Sequence, residues 1–246
     1  MHIIPYITNL HVGGFMISNN NVSDNHSNRM DCITIGRLAP DFTALSTEGP
    51  ITLSQYRGKW VILFSAPGDF APIATTEMIS FAQLFPEFDK RNVQIIGMTI
   101  DSNFADIEWL YDIFIHSGII IPFPIISDRD TEISRLYGIV NPDRIYEESV
   151  RDIFIINPAQ RIRAIITYPV SCGINSYELL RVIDSLQLTE EYNLYTPSNW
   201  MPGDPTIVPP PHTFTEAMQR FNEQESLGLH CNMWYSCFKN SNTNNK

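Results

Sequence analysis

The sequence predicts an α/β fold with a central mixed β-sheet flanked by helices and an extended C-terminal arm. Short apolar segments rich in β-branched residues alternate with segments whose apolar residues recur at helical spacing, and the last two strand-like segments adjoin as a hairpin. A proline-rich stretch in the last fifty residues marks the arm. We therefore expect a tail over residues 1–33, an α/β domain over 34–188 and an arm over 189–246.

The tail and the strands follow from local composition. Residues 18–28 are polar, rich in Asn and Ser and without periodicity, so we expect them to be disordered. Segments 60–65, 93–100 and 124–127 are short apolar runs, typical of buried strands. Two further strands, 150–157 and 161–168, adjoin at Asn157, Pro158, Ala159 and Gln160, a sequence typical of a hairpin turn.

Three amphipathic helices lie between or after these strands. The sequence Asn175 to Glu178 fits a capping box at the start of the third helix. The predicted apolar faces of the three helices are Met78, Phe81, Ala82 and Phe85; Ile107, Leu110, Tyr111 and Phe114; and Leu179, Ile183 and Leu186. A short fourth helix is expected in the arm over residues 214–223.

Composition excludes several classes of function. Lys and Arg number 16 against 27 Asp and Glu, a net charge of −11, which argues against binding to nucleic acid or to an anionic membrane surface. No apolar run reaches the roughly 18 residues of a membrane span, and the N-terminus lacks the basic start of a secretory signal. We therefore expect a cytoplasmic protein, in which thiols stay reduced and four cysteines do not form a disulfide framework. No phosphate-binding loop motif occurs, and we expect no cofactor and no metal.

The most informative segment is 66–78, APGDFAPIATTEM, which follows a buried strand and opens a helix. Free backbone N–H groups at such a helix start attract anions and lower the pKa of a cysteine placed there. The segment resembles the active-site loop of peroxiredoxins, thioredoxin-fold thiol peroxidases with the motif P-x-x-x-[TS]-x-x-C, and Pro67 matches the motif proline. Arg151 falls at the position of the second active-site arginine of the family. Further matches to the loop are Gly68, Asp69, Phe70, Pro72, Thr75, Thr76 and Glu77.

The resemblance extends from about residue 35 to residue 237. It includes segments 37–42, 56–60 and 101–104, and it implies a thioredoxin-like fold. The long arm with Cys231 and Cys237 around Trp234 is similar to that of a subgroup from archaea and some bacteria, close to the one-Cys type.

The sequence departs from the family pattern at the reacting positions themselves. Ala74 stands at the position of the peroxidatic cysteine, and Ala71 at that of the Thr or Ser that hydrogen-bonds peroxide. Two positions where the family often has histidine are Ala66 and Asp106. Alanine has no nucleophile, so we expect a pseudoenzyme with a structural, chaperone or co-assembly role. Because several positions of the pocket differ from the family pattern at once, we favour natural divergence over a deliberate cysteine-to-alanine substitution.

The alternative is an active thiol peroxidase that uses another cysteine. Cys172 lies just before a capped helix, where the helix dipole would acidify a thiol. Cys231 and Cys237 match resolving cysteines, but without a peroxidatic partner we interpret them as two reduced, partly buried thiols, with a disulfide as the other interpretation. Their spacing gives little support to a zinc site.

Other candidate residues have a structural and a functional interpretation. Arg151 either binds an anion in the old pocket or pairs with Glu77, and Glu77 suits the first turn of a helix without any catalytic role. Ser65, Thr75 and Thr76 invite comparison with a hydrolase, but no G-x-S-x-G motif occurs and the threonines suit a helix start.

Assembly is expected on two grounds. Segment 162–169 follows the hairpin turn and is expected at a sheet edge, and the arm carries more apolar surface than a free tail tolerates. The resemblance implies pairing through sheet edges into a homodimer or a decamer-like ring, or co-assembly with an active paralogue.

Overall fold

The computed structural model describes residues 33–139 and 151–240. The predicted tail therefore lies outside the described residues apart from Ile33, as do Cys32 and Val150. The described strands are β1 Thr43–Ser46, β2 Gly49–Thr52, β3 Trp60–Ser65, β4 Val93–Thr99, β5 Ile125–Ser127, β6 Arg151–Ile156, β7 Ile162–Tyr168, β8 Thr206–Val208, β9 Leu229–Met233 and β10 Ser236–Lys239. The described helices are α1 Pro72–Lys90, α2 Asn103–Ser117, α3 Glu132–Leu136, α4 Ser176–Tyr192 and α5 Phe214–Glu223.

The central sheet has seven strands in the order β2-β1-β5-β4-β3-β6-β7. Strands β3, β4 and β5 run parallel, while β6 and β7 are antiparallel to their neighbours. This confirms the predicted mixed sheet and the predicted hairpin, in which the Asn157 side chain accepts hydrogen bonds from the N–H groups of Ala159 and Arg161. The β1–β2 hairpin was not predicted, because segment 43–52 lacks a clear apolar alternation.

The two faces of the sheet are covered by different elements. Ile62 and Phe64 of β3 pack into a cluster with side chains of α1, α2 and α4. Val61 and Leu63, which alternate with them, pack with α3 and the segment around β1 and β2. All six residues of β3 are buried, as the continuous apolar run predicts for a strand covered on both faces.

Of the predicted apolar stripe of α2, only Leu110 packs against the main core cluster. The helix buries Asp106, Trp109 and Ile113, whereas Ile107, Tyr111 and Phe114 are 42–57% exposed. Periodicity finds an apolar stripe but does not say whether the stripe faces the chain's own core. The exposed stripe of α2 is therefore surface that a second molecule can cover.

Helix α4 has the predicted cap but not the complete capping box. The Asn175 side chain accepts hydrogen bonds from the N–H groups of Tyr177 and Glu178. The Glu178 carboxylate binds Arg181 one turn later. The helix ends at Tyr192, four residues beyond the expected boundary of the domain.

The arm begins against α4 and forms a small sheet of its own. Ser185 and Thr196 share a hydrogen bond of 2.7 Å, and Arg181 donates to the carbonyl oxygen of Trp200. Beyond them the strands lie in the order β8-β10-β9, and α5 occupies the predicted position. In the part of the chain that the structure describes, no helix is long and apolar enough to cross a membrane.

Candidate functional site

The loop after β3 ends at the start of α1. Ala71 is the N-cap residue, with φ −65° and ψ 126°, and it makes no side-chain cap hydrogen bond because alanine has no oxygen to offer. Pro72 follows at the first helical position, where its missing N–H loses no intrahelical bond. Phe70 has φ 57°, in the left-handed region, so the loop turns sharply before the helix begins. Pro67, at the start of the loop, is partly buried.

Ala74 lies in the first turn of this helix and is only 1% exposed. Its methyl group belongs to the main core cluster, together with Ala66 and Met78, and Ala71 packs against that cluster. The position therefore presents hydrocarbon at the place where the resemblance puts a thiolate.

The hydroxyl groups near Ala74 are already bonded. Thr75 Oγ1 donates to the carbonyl oxygen of Ala71 at 3.0 Å and accepts from the indole N–H of Trp109 at 3.0 Å. Thr76 Oγ1 donates to the carbonyl oxygen of Ile73, and Ser65 Oγ accepts from the N–H of Asp152. These contacts fit the helix-start interpretation of the threonines better than a hydrolase nucleophile.

Glu77 and Arg151 form a buried ion pair, and Glu77 lies in the second turn of α1 rather than in the expected first turn. Arg151 Nη1 lies 3.0 Å from Glu77 Oε2, and the two side chains are 1% and 2% exposed. The other Glu77 oxygen accepts from the N–H of Ile174 at 2.8 Å, and Arg151 Nε donates to the carbonyl oxygen of Val170. Burial raises the pKa of Glu77, although the Ile174 N–H and Arg151 oppose the shift. Of the two interpretations of Arg151, the structure shows the pairing with Glu77.

Cys172 is a free, exposed cysteine on the loop that precedes α4. The N–H of Cys172 donates to the carbonyl oxygen of Pro169, which closes a turn. Its neighbour Gly173 faces α1, since a Cβ there would lie 3.4 Å from Ile73 Cγ2 and 3.9 Å from Glu77 Oε1. The loop that carries this thiol thus lies against the turn that contains Ala74.

The interpretation of Cys231 and Cys237 as reduced thiols is wrong. Strands β9 and β10 pair antiparallel with these two residues opposite each other, and a disulfide joins them. Two residues six apart cannot meet on one helical turn. The hairpin turn between Met233 and Ser236 instead brings Cys231 and Cys237 together. Since both sulfurs are bonded, a zinc site that uses these thiols is excluded in this state.

Sequence reasoning missed a group of carboxylates behind the loop. Asp69 in the loop, Asp101 after β4 and Asp106 in the first turn of α2 come together, and Asp106 is fully buried. Burial and the two neighbouring carboxylates raise the pKa of Asp69 to about 8. The indication of this group in the sequence was Asp106, which lies one helical turn before Trp109 on the buried face of α2. Among the described residues, no group of three or more His, Cys, Asp or Glu side chains has the arrangement to hold a metal ion.

Comparison with known proteins gives consistent similarities along most of the chain. Residues 35–165 match the AhpC/TSA family, and residues 185–224 match the C-terminal domain of 1-Cys peroxiredoxin. Peroxiredoxin 2 of Caldanaerobacter subterraneus subsp. tengcongensis is 49% identical over 205 residues, which cover 83% of this chain and 92% of that protein.

Two solved structures extend the similarity to three dimensions. The yeast mitochondrial 1-Cys peroxiredoxin is 37% identical with a TM-score of 0.75, and the match covers 85% of this chain and 100% of that one. A cysteine-to-serine mutant of peroxiredoxin 6 of Arenicola marina is 34% identical with a TM-score of 0.75, covering 86% of this chain and 99% of that one. These matches confirm the predicted thioredoxin-like fold with a C-terminal extension.

Proposed function

We propose that this chain, which belongs to the peroxiredoxin family, is a non-catalytic member that acts as a structural or co-assembly subunit. The observation that carries the proposal is the buried methyl group of Ala74 at the start of α1. Peroxide reduction by this family begins when a thiolate attacks the O–O bond and becomes a sulfenic acid. Neither Ala74 nor Ala71 has an atom for that step or for a hydrogen bond to it.

The remaining contacts support a retained shape rather than a retained reaction. The Glu77–Arg151 pair still joins α1 to β6, and Thr75 still joins α1 to Trp109 on α2. Glu77 and Arg151 both bond to other groups of the chain. The methyl group of Ala74 fills the position of the nucleophile and packs in the core cluster. Such a site preserves the fold around α1 without offering a nucleophile.

Three surfaces support self-assembly as the partner interaction. Strand β7 is the outer strand of the sheet on its side. Gly36 and Arg37 bond to its first residue, Ile162, and the edge beyond Ile162 supports pairing with a second molecule. The exposed stripe of α2 continues into Phe104, which is 86% exposed. In the arm, Phe214, Phe221 and Trp234 line a largely apolar groove of about 610 Å³. We propose a homodimer, with a ring of dimers or co-assembly with an active paralogue as the larger forms.

A second candidate function, thiol peroxidase activity through Cys172, has one observation in its favour. Cys172 is exposed, and its loop packs on the turn of α1 that holds Ala74. It would have to attack peroxide without the motif threonine, since that position is Ala71.

Peroxide consumption separates the two functions. With a dithiol reductant and hydrogen peroxide, we expect the wild-type chain to consume peroxide no faster than Cys172→Ala, because neither protein has a thiolate at the start of α1. Thiol labelling before and after peroxide provides the control, since it reports whether Cys172 reacts at all. Fast turnover that disappears in Cys172→Ala would overturn the non-catalytic proposal and establish the second candidate.

Assembly is tested by light scattering at micromolar concentration. We expect at least a dimer, because the β7 edge beyond Ile162 and the apolar arm would otherwise remain in water. Phe104→Glu places a charge on the exposed stripe of α2 and should reduce any larger species to the dimer without unfolding the chain. A clean monomer for the wild type would refute the assembly role.

A further inference from the structure

The carboxylates of Asp69, Asp101 and Asp106 form a cluster that the proposed function does not use. Asp69 belongs to the loop before α1, Asp101 follows β4, and Asp106 lies in the first turn of α2. The cluster therefore joins the loop that precedes Ala74 to the helix behind it.

Two of the three carboxylates each accept a hydrogen bond from an N–H or O–H group of the chain. Asp101 Oδ2 accepts from the N–H of Asp69 at 2.7 Å, and Asp106 Oδ1 accepts from Thr99 Oγ1 at 2.6 Å. Asp101 also approaches the loop backbone closely, since a Cβ on Gly68 would lie 3.3 Å from Asp101 Oδ2. The loop thus rests with its backbone against this cluster.

The remaining oxygens have no donor from the rest of the described chain. Asp106 is 0% exposed, and its Oδ2 is buried without a hydrogen-bond donor, as are both carboxyl oxygens of Asp69. The Asp69 and Asp106 carboxyl groups lie close enough to interact with each other. Two carboxylates are both acceptors, so a hydrogen bond between them requires one proton on the pair.

The groups around the Asp69–Asp106 pair favour a bound proton, rather than a neighbouring cation, as the means of neutralising one of the two carboxylates. The charged group that faces the pair from the β4–α2 connection is Asp101, and the neighbouring Thr99 and Trp109 carry no charge. Burial and these carboxylates raise the pKa of Asp69 to about 8, and burial raises the pKa of Asp106 as well. A pair of buried like charges without a cation is avoided by keeping one proton.

We propose that Asp69 and Asp106 form a shared-proton latch that holds the loop of residues 67–71 against α2, and that the loop opens more easily as the pH rises, because opening releases this proton. When hydroxide removes the proton, water forms and two adjacent carboxylates remain, which repel each other. The loop carries the left-handed Phe70, so it needs such a hold to keep its turn. The Trp109–Thr75 hydrogen bond between α2 and α1 contains no titrating group and should survive.

Hydrogen exchange of the loop as a function of pH tests the latch. Protection factors for the peptide that spans residues 66–75 are measured from pH 6 to pH 9.5 and corrected for intrinsic exchange. In the wild type we expect protection to fall by up to about tenfold per pH unit from pH 6 to about pH 8, because the closed loop keeps a proton that the open loop releases, and to level off above about pH 8, where both forms have lost it.

The matched variant is Asp106→Asn, whose amide keeps an oxygen for Thr99 and supplies its own N–H to Asp69. It should hold the loop with less than about a twofold change over the same pH range. The exposed Asp89→Asn on α1 serves as the control and should follow the wild type. A flat wild-type profile, or an equal slope in Asp106→Asn, would overturn the proposal. Protection that depends on added sodium or calcium ions and vanishes with their removal would also overturn it, since a cation would then bridge the pair.

Discussion

Introducing cysteine at position 74 alone is expected to give only slow peroxide reduction, whereas Ala74→Cys with Ala71→Thr should be much faster. The new thiolate would lie at the start of α1, where free N–H groups lower the pKa of a thiol. Ala71 has no hydroxyl to bond that thiolate or the bound peroxide, and losing a hydrogen bond to a charged group costs about 1.5–3 kcal/mol. At about 1.36 kcal/mol per decade, the single variant should be roughly 10- to 100-fold slower than the double variant.

The assay is best performed in a Cys172→Ala background with a dithiol reductant in excess. Ala82→Cys is the matched control, because it places the same side chain later on the same helix, away from its N-terminus. That control should stay at the background rate. Equal rates for the single and double changes at positions 74 and 71 would show that Ala71 is not the missing donor. No activity in either would mean that the geometry around α1 has changed beyond these two residues.

Strands β3 to β7 of the sheet could be predicted because they carry their own local signals, whereas β1 and β2 could not. Strand β3 is a continuous apolar run, β6 carries the apolar run Ile153–Ile156 after Arg151 and Asp152, and both strands are buried along their whole length. The hairpin between β6 and β7 was equally local, since the Asn157 side chain organises its own turn. The cap of α4 by Asn175 follows the same logic, because its bonds reach only two and three residues along the chain.

The features that the sequence did not predict depend on contacts between distant residues or between molecules. The apolar stripe of α2 exists, but the helix turns a different face, with Asp106 and Trp109, to the core, where Thr99 bonds one Asp106 oxygen and Thr75 bonds the Trp109 indole N–H. The disulfide required the hairpin register of β9 and β10, which no helical spacing indicates. The contact between Asp69 and Asp106 exists because the loop before α1 meets α2, so neither aspartate predicts it from its local sequence.

The buried pair of Glu77 and Arg151 was predicted as one of two interpretations, and its geometry leads to the largest expected stability effect. Arg151→Leu leaves the Glu77 carboxylate without its counter-charge in a fully buried position. Removing one partner of a buried pair costs about 3–5 kcal/mol of the free energy of unfolding. Glu77→Gln with Arg151→Met should restore most of that loss, because Gln keeps an oxygen for the Ile174 N–H and no charge remains.

The loss in Arg151→Leu should also depend on pH. Burial already raises the pKa of Glu77 in the folded protein, and Arg151 opposes that shift, so its removal raises the pKa further. A raised folded-state pKa means that the proton stabilises the fold fully below the pKa of the unfolded chain, and that this stabilisation is lost as the pH rises through the folded value. Arg151→Leu should therefore lose more stability at pH 8 than at pH 5.

Denaturant unfolding at both pH values, at one fixed protein concentration, measures this loss. Lys90→Met removes the exposed Lys90–Glu87 pair and is the control, with no measurable change expected. The stability of the double variant should change less between the two pH values than that of Arg151→Leu, because position 77 then carries no titrating group. If Arg151→Leu is as stable as the wild type at pH 8, the pair does not hold α1 to β6, and the retained shape of the site must depend on the Trp109–Thr75 bond instead.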